Sequence, residues 1–208
     1  MKLQVKVIQR RGNFSGDLQD FNQDWNIYKL GFGRLEEEFW LGNENIHTLT
    51  KQEECVLRIE LEDFDGNQRW AEYVIFQVFG EEQQYRISVD GYRGNAGDAL
   101  ADRWYGINLL PFSTFDKDND RSPLHCGQLM QNGWWWRSCG RSLNGKYSSN
   151  PRNKHASKGV VWFRWRGWYY SLRKVEMKIR PQWFSTASSL ISETERLKRR
   201  FRFPKAMP

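Results

Sequence analysis

The 208-residue sequence has little of what defines several common classes of protein. Only three residues are cysteine, which is too few for a disulfide scaffold and leaves one unpaired. No apolar run approaches 18 residues, so the sequence excludes a membrane-spanning helix. The first residues alternate between charged and apolar side chains and show no signal peptide. If the protein is secreted, we expect this chain to be a mature or excised fragment.

The sequence also lacks the common catalytic motifs. His47, His125 and His155 have no metal-binding spacing, and neither a nucleophile elbow nor a phosphate-binding loop is present. His125 precedes Cys126, but a cysteine held in a disulfide is not a nucleophile. We therefore expect no enzymatic activity.

Aromatic and basic residues are abundant instead. Aromatic residues make up 15% of the chain, and a core rich in such large side chains can support long irregular loops. The net charge of +7 attracts acidic glycans, acidic proteins, nucleic acid or anionic lipid without choosing among them. Segment 137–158 holds six basic residues and no acidic one, and 196–200 forms a second basic cluster; both can equally be solvated surface.

Hydrophobic periodicity predicts a mixed fold. Apolar residues at period two predict strands over 3–9, 56–63, 69–78, 85–92, 160–165 and 174–179. Near-helical spacing predicts helices over 20–30 and 43–49. Between 95 and 158 no period is visible, which indicates a long loop region that ligands or cross-links must hold. Beyond Pro181 the composition becomes polar and basic, so 182–208 is predicted to be a tail outside the fold.

Three local motifs suggest sites. Segment 116–120 places side-chain oxygens at alternate positions, as calcium requires, although an acidic turn without metal fits equally well. A bridge between Cys126 and Cys139 would close a loop of roughly 15 residues and stabilise the fold by about 3 kcal/mol, the alternative being three reduced thiols. Segment 134–136 is three consecutive tryptophans, of which at least one is expected to line a surface or a pocket.

Taken in order, these and further motifs resemble the fibrinogen-related C-terminal domain shared by fibrinogen chains, ficolins, tachylectins, tenascins and angiopoietins. The similarity covers residues 4–181. The matching strings are IQRR (8–11), YKLGFG (28–33), EFWLGNE (38–44), LEDFDG (61–66), NAGDA (95–99), FST (112–114), DKDND (116–120), GWW (133–135), LNG (143–145) and MKIRP (177–181).

The resemblance implies an α+β fold with a central twisted antiparallel sheet, short flanking helices and a loop-rich C-terminal region that holds calcium and ligand. Residues 1–181 would form this domain, truncated at the N-terminal segment that carries the family's cysteine pair. The implied function is non-catalytic recognition of a protein receptor or a glycan outside the cell. Oligomers would form through segments upstream of this chain. Nucleic acid is not expected as a partner, since the aromatic residues belong to the family's core motifs.

The resemblance also implies particular site residues. The calcium ligands would be the side chains of Asp118 and Asp120 and the carbonyl groups of Ser122 and Leu124. Cys126 and Cys139 would be bridged and Cys55 would stay unpaired within this chain. In several lectin members the peptide before the second cysteine is cis, which here is the Ser138–Cys139 bond.

The implied ligand pocket adjoins the calcium loop, with aromatic walls, backbone donors at its base and a basic rim suited to an anionic or acidic-rimmed ligand. Its residues are Trp136, Arg137, Ser138, Cys139, Gly140, Arg141, Ala156, Ser157, Lys158, Trp168 and Tyr169. An alternative function is structural assembly through capture of a peptide knob. Gly140 and Ser157 count against it, because members that polymerise carry a histidine and an acid there. Asn13, in the sequon Asn13-Phe14-Ser15, is the candidate glycosylation site.

Overall fold

The computed structural model describes residues 5–14, 17–153 and 155–183. In chain order its strands and helices are β1 (Lys6–Arg11), α1 (Trp25–Leu30), β2 (Phe32–Gly33), β3 (Phe39–Trp40), α2 (Asn43–Gln52), β4 (Cys55–Glu62), β5 (Gln68–Val78), β6 (Ile87–Gly94), α3 (Cys126–Met130), α4 (Phe163–Arg166) and β7 (Lys174–Pro181). Short 3-10 turns lie at Glu81–Gln83 and Ala156–Lys158.

One antiparallel sheet of seven strands, in the order β2-β3-β1-β7-β4-β5-β6, organises the molecule. Strand β7, the last in sequence, lies between β1 and β4 at its centre. On β4 the even-numbered Arg58 and Glu60 are partly exposed, whereas Leu57 and Ile59 are fully buried. This alternation is typical of a sheet with one face on the core. The α+β prediction is confirmed.

The two N-terminal helices flank this sheet, with boundaries that differ from the prediction. Helix α1 begins at Trp25 rather than at residue 20, because the Asp24 carboxylate accepts the Ile27 N–H at 2.8 Å and caps the helix there. Asp20 instead accepts the Asn22 N–H at 2.8 Å, which stabilises a turn before the helix. Helix α2 starts at residue 43 as predicted and runs three residues longer, to Gln52.

Residues 95–173, called the loop layer below, contain only α3, α4, one 3-10 turn and isolated β-bridges among the described residues. The strand predicted over 160–165 is wrong. Val160 forms a lone bridge with Ser142, and the chain then turns into α4. Both sides of β7 are paired with β1 and β4, so this segment cannot join the centre of the sheet. It packs through Trp162 instead, whose Nε1 donates to the Ala96 carbonyl at 3.1 Å.

The described contacts of the fold continue two residues past the expected boundary at 181. Gln182 N donates to the Glu54 carbonyl at 2.8 Å, and Trp183 Nε1 donates to Glu53 Oε2 at 3.1 Å. The rest of the predicted tail, including the basic cluster 196–200, lies outside the described residues.

Candidate functional site

A disulfide connects the start of α3 to the segment after the three tryptophans. Cys126 and Cys139 are bridged, with their Cα atoms 4.8 Å apart. The Ser138–Cys139 peptide is trans, so the cis bond that the resemblance implied here is wrong, and trans is the lower-energy form of a non-proline peptide. Cys55 is free and buried at the start of β4, where burial, with a smaller effect of Glu53, raises the pKa of its thiol to about 11.

The acidic loop before this disulfide is built from side-chain hydrogen bonds to backbone N–H groups. Asp120 accepts from Ser122 N at 2.7 Å and from Cys126 N at 2.9 Å, and Asp118 accepts from Asp120 N at 3.2 Å. Asn119 anchors the loop, because its Nδ2 donates to the Phe112 carbonyl at 2.8 Å. The loop therefore holds two carboxylates close together beside the bridge.

The charges of this loop favour a cation. Burial, together with the neighbouring charge of Asp118, raises the pKa of Asp120 above its ordinary value. No cluster of three or more acidic, histidine or cysteine side chains suited to a metal occurs in the part of the chain that the structure describes. Two carboxylates supplemented by backbone carbonyls fit calcium, which accepts such mixed oxygen ligands. The Leu124 carbonyl oxygen lies 3.9 Å from Cys139 Sγ, beside the disulfide.

The three consecutive tryptophans are all in the core, each at most 1% exposed. Trp135 Nε1 donates to the Tyr85 carbonyl at 2.8 Å, and Trp134 forms a backbone bridge with Ser113. The prediction that Trp136 walls an open ligand site is therefore corrected. Since the backbone here is irregular, successive side chains do not alternate between core and solvent. All three line a cavity of about 20 Å³, which has room for about one water molecule.

Arg141 also lines this cavity. Its guanidinium carbon lies 4.9 Å from the ring centre of Tyr105, 5.5 Å from that of Phe163 and 4.4 Å from that of Trp168. The three rings also contact one another, with centroids 5.2 to 5.7 Å apart. Burial, with a smaller effect of the nearby charge of Arg137, lowers the pKa of Arg141 to about 10. Tyr105, Phe163 and Trp168 are called the aromatic cage below.

The other predicted pocket residues lie around this cage, with differing exposure. Tyr169 is 76% exposed, and Arg137 and Ser138 are exposed. A β-carbon at Gly140 would lie 4.0 Å from the Ser157 carbonyl oxygen, so these two segments face each other. Ala156 is buried and Lys158 is partly buried, its carbonyl accepting the Lys146 N–H at 2.9 Å. Lys154, counted in the basic run, lies outside the described residues.

Sequence reasoning missed Tyr105 and Phe163. Tyr105 lies in a loop stabilised by Asp102, whose carboxylate accepts the Tyr105 N–H at 2.7 Å. Its neighbour Trp104 is 70% exposed, with the Arg103 guanidinium 5.4 Å from its ring centre. The available signal was the string Arg103-Trp104-Tyr105, which combines aromatic and basic residues inside the loop layer.

Asn13 is exposed, at the turn that follows β1. Ser15, the third residue of its sequon, lies outside the described residues. Glycosylation of Asn13 stays a prediction.

Comparison with known proteins identifies the class to which this fold and site belong. Residues 5–182 match the family described as fibrinogen beta and gamma chains, C-terminal globular domain. The chain is therefore a member of the fibrinogen C-terminal domain family, and thus of a group of non-catalytic binding domains.

Individual relatives agree with this assignment. The chain is 42% identical over 189 residues to fibrinogen-like protein 1 of Homo sapiens and 43% identical over 180 residues to techylectin-5A of Tachypleus tridentatus. In each case the match covers 86% of this chain and 60% of the relative. It is 47% identical over 180 residues to angiopoietin-related protein 7 of Mus musculus, covering 86% of this chain and 51% of that protein. The chain thus spans little more than half the length of these relatives.

Two solved structures share the fold. The fibrinogen-like globe domain of human ANGPTL6 has a TM-score of 0.79 and 38% identity, covering 85% of this chain and 78% of that one. Lamprey fibrin D-dimer, complexed with the peptide Gly-His-Arg-Pro-amide, has a TM-score of 0.77 and 34% identity, covering 86% of this chain and 61% of that one.

Every helix in the described part of this chain is too short or too polar to cross a lipid bilayer.

Proposed function

We propose that this domain recognises an extracellular protein receptor or glycan through the surface around the aromatic cage. That surface consists of exposed aromatic and basic residues, and its members are Arg103, Trp104, Tyr105, Arg137, Trp168 and Tyr169. It is called the aromatic–arginine surface below. The disulfide supports an extracellular setting, because such bonds persist in oxidising compartments.

The exposure of two large aromatic side chains carries this proposal. Trp104 is 70% and Tyr169 is 76% exposed, although such side chains have a strong tendency to be buried. Tryptophan, tyrosine and arginine are the residues most enriched at binding hot spots. The acidic neighbour Asp102 is neutralised by an ion pair with Arg164, so the surface presents positive charge. An acidic ligand suits it best.

Calcium at Asp118 and Asp120 is part of the proposal, with the carbonyl groups of Ser122 and Leu124 as further ligands. The cation would neutralise the two carboxylates and stiffen the loop that ends at Cys126. Because Cys126 is bridged to Cys139, this loop adjoins Gly140 and Arg141. Calcium would thus act on the binding surface through its support rather than by contacting the ligand.

A binding screen tests the proposal. The purified chain is applied to a glycan array and to a panel of receptor ectodomains, with calcium and with a chelator. Each ligand found is measured again with Tyr169→Ala, which we expect to weaken binding about tenfold or more, as truncation of a central interface aromatic does. Trp183→Ala, which removes an exposed tryptophan outside this surface, is the matched control.

The basic residues are tested in the same assay. Arg103→Ala combined with Arg137→Ala should slow association and flatten its dependence on salt, because both charges are exposed and exposed charges act mainly on encounter. If Tyr169→Ala and the double variant bind as wild type does while Trp183→Ala weakens binding, the surface is placed wrongly.

Capture of a peptide knob is the second candidate, since the lamprey fibrin relative is described with a bound peptide. A cationic knob needs a carboxylate partner. The carboxylate is expected at the position that Ser157 occupies in this chain. Ser157 is only partly exposed and carries no charge. The receptor or glycan function is therefore the better supported of the two.

A further inference from the structure

Five described arginines of the loop layer contact aromatic rings, and Arg141 differs from the others because it contacts three rings. Arg103 and Arg152 are exposed and each contact one ring. Arg164 lies 5.2 Å from the Phe163 ring centre and pairs with Asp102. Arg166 lies 5.2 Å from the Tyr170 ring centre and pairs with Asp63, while its contact with Asp65 measures 3.0 Å. These two are ordinary ion pairs that also touch a ring.

Arg141 instead contacts three rings, and no carboxylate among the described residues lies within ion-pair distance of it. Its Nη2 donates to Ser138 Oγ. Its Nη1 is buried and finds no acceptor in the part of the chain that the structure describes. Its Nε donates to the Gly140 carbonyl at 3.4 Å. The cation is therefore held by three ring faces, one hydroxyl group and one backbone carbonyl, and such ring faces attract any cation of suitable size.

The backbone that carries this side chain has an uncommon conformation. Gly140 and Arg141 have φ of +92° and +78°, so two successive residues adopt the left-handed region. For a residue with a β-carbon this conformation is costly. The unpaired Nη1 raises the free energy of the state in which Arg141 occupies the cage.

We infer that Tyr105, Phe163 and Trp168 form a binding site for a guanidinium or alkylammonium group, which Arg141 of the same chain occupies and thereby blocks. Tyr105 and Trp168 remain 44% and 39% exposed, so the site opens to solvent once Arg141 leaves. Departure of Arg141 also frees its charge for an acidic group of the ligand. That a biological ligand uses this site rests on the proposed function, which concerns the same surface.

The test uses small probes in place of a biological ligand. Arg141→Ala removes the atoms of an ethylguanidinium group, so N-ethylguanidinium replaces what is lost, and N-ethylurea is a neutral probe of similar shape. Binding is measured by calorimetry and by ligand-observed NMR. We expect Arg141→Ala to bind N-ethylguanidinium at least about tenfold more tightly than N-ethylurea, and at least about tenfold more tightly than wild type does.

Two control variants separate the cage from its surroundings. Arg152→Ala removes an exposed arginine that contacts the Tyr170 ring and lies outside both the cage and the aromatic–arginine surface, and it should behave as wild type does. Arg141→Ala combined with Trp168→Ala removes one wall of the cage and should lose the binding of N-ethylguanidinium. Should Arg141→Ala prove unstable, N-ethylguanidinium should raise its melting temperature more than N-ethylurea does.

Three outcomes would overturn the inference. Equal binding of N-ethylguanidinium by wild type and by Arg141→Ala shows that Arg141 does not block the site. Equal binding of the two probes shows a plain cavity, and a folded Arg141→Ala that binds neither shows that there is no cage. Because no biological ligand is used, each of these results leaves the Tyr169 experiment standing as a separate test of the proposed function.

Discussion

Arg11 and Glu38 form an ion pair inside the protein, with Arg11 Nε 3.0 Å from Glu38 Oε1 and the two side chains 1% and 4% exposed. Arg11 Nη1 also donates to the Gly145 carbonyl at 2.7 Å, and its guanidinium lies 3.7 Å from the Phe21 ring centre. Burial lowers the pKa of Arg11, and Glu38 opposes this. Arg11, held by Glu38, thus connects β1 to the loop layer across more than 130 residues of sequence.

Glu38→Ala is predicted to destabilise the fold by about 3–5 kcal/mol, because it leaves a buried guanidinium without its partner. The double variant Arg11→Met with Glu38→Leu should lose less free energy of unfolding than the two single variants lose together. A double-mutant cycle in denaturant measures this difference. Arg173→Ala breaks an exposed pair with Glu62 and should cost under about 1 kcal/mol. Equal losses from Glu38→Ala and Arg173→Ala would contradict this interpretation.

Local patterns predicted much of the sheet. Alternating apolar residues placed β4 within one residue at each end, and the turn at Gly66, whose φ is +81°, placed the start of β5. Contacts in the loop layer could not be predicted this way. Gln9 donates to the Leu143 carbonyl at 2.9 Å across 134 residues, and no local period encodes such a contact.

The candidate site shows the same division. The motif strings placed the disulfide, the acidic loop and Trp168 in one region. They did not show that Trp136 is buried or that Arg141 fills the aromatic cage, because both depend on how irregular segments pack together. Tyr105 reaches the cage from a loop some 35 residues earlier in the sequence, and only the structure brings it there.

Cys55 is predicted to be chemically silent in the native protein. Its side chain is buried, and a thiol with a pKa of about 11 is roughly one part in a thousand thiolate at pH 8. A thiol reagent should therefore label nothing in the native chain and one thiol after denaturation. Cys55→Ser should remove that signal, and mass mapping of unreduced peptides should still find Cys126 joined to Cys139.

The same thiol gives a prediction for alkaline pH. Its pKa is raised above the ordinary value of 9.0, so the folded state favours the neutral thiol. This contribution to stability is complete below pH 9 and is lost as the pH rises towards 11. Relative to Cys55→Ser, wild type should lose on the order of 1–3 kcal/mol over that range. If the free energies of unfolding of the two proteins change with pH in parallel, or if native Cys55 is labelled rapidly, the thiol is accessible to solvent and the prediction is wrong.

Calcium is predicted to stabilise the fold through Asp118 and Asp120. A cation that binds only the folded loop stabilises by mass action, by about 2.7 kcal/mol at 100 times its Kd, which raises Tm by about 5–10 °C in a domain of this size. Asp118→Ala with Asp120→Ala should abolish the response. A double variant that responds to calcium as wild type does would place the metal elsewhere.

Asp118→Asn gives the sharper form of this prediction, because its effect should change sign with calcium. Burial and the charge of Asp118 raise the pKa of Asp120, so the folded state favours the protonated carboxyl. As the pH rises above the ordinary carboxyl range, Asp120 ionises and the free energy of unfolding falls. Asparagine at 118 keeps an oxygen that can accept the Asp120 N–H and removes the negative charge. In chelator at pH 7 this variant should therefore be as stable as wild type or more stable. In calcium it should be the less stable of the two, since it has lost an anionic ligand, and melting curves in both buffers measure the crossover. A variant that is equally destabilised in chelator and in calcium would show that Asp118 acts only through the turn it forms.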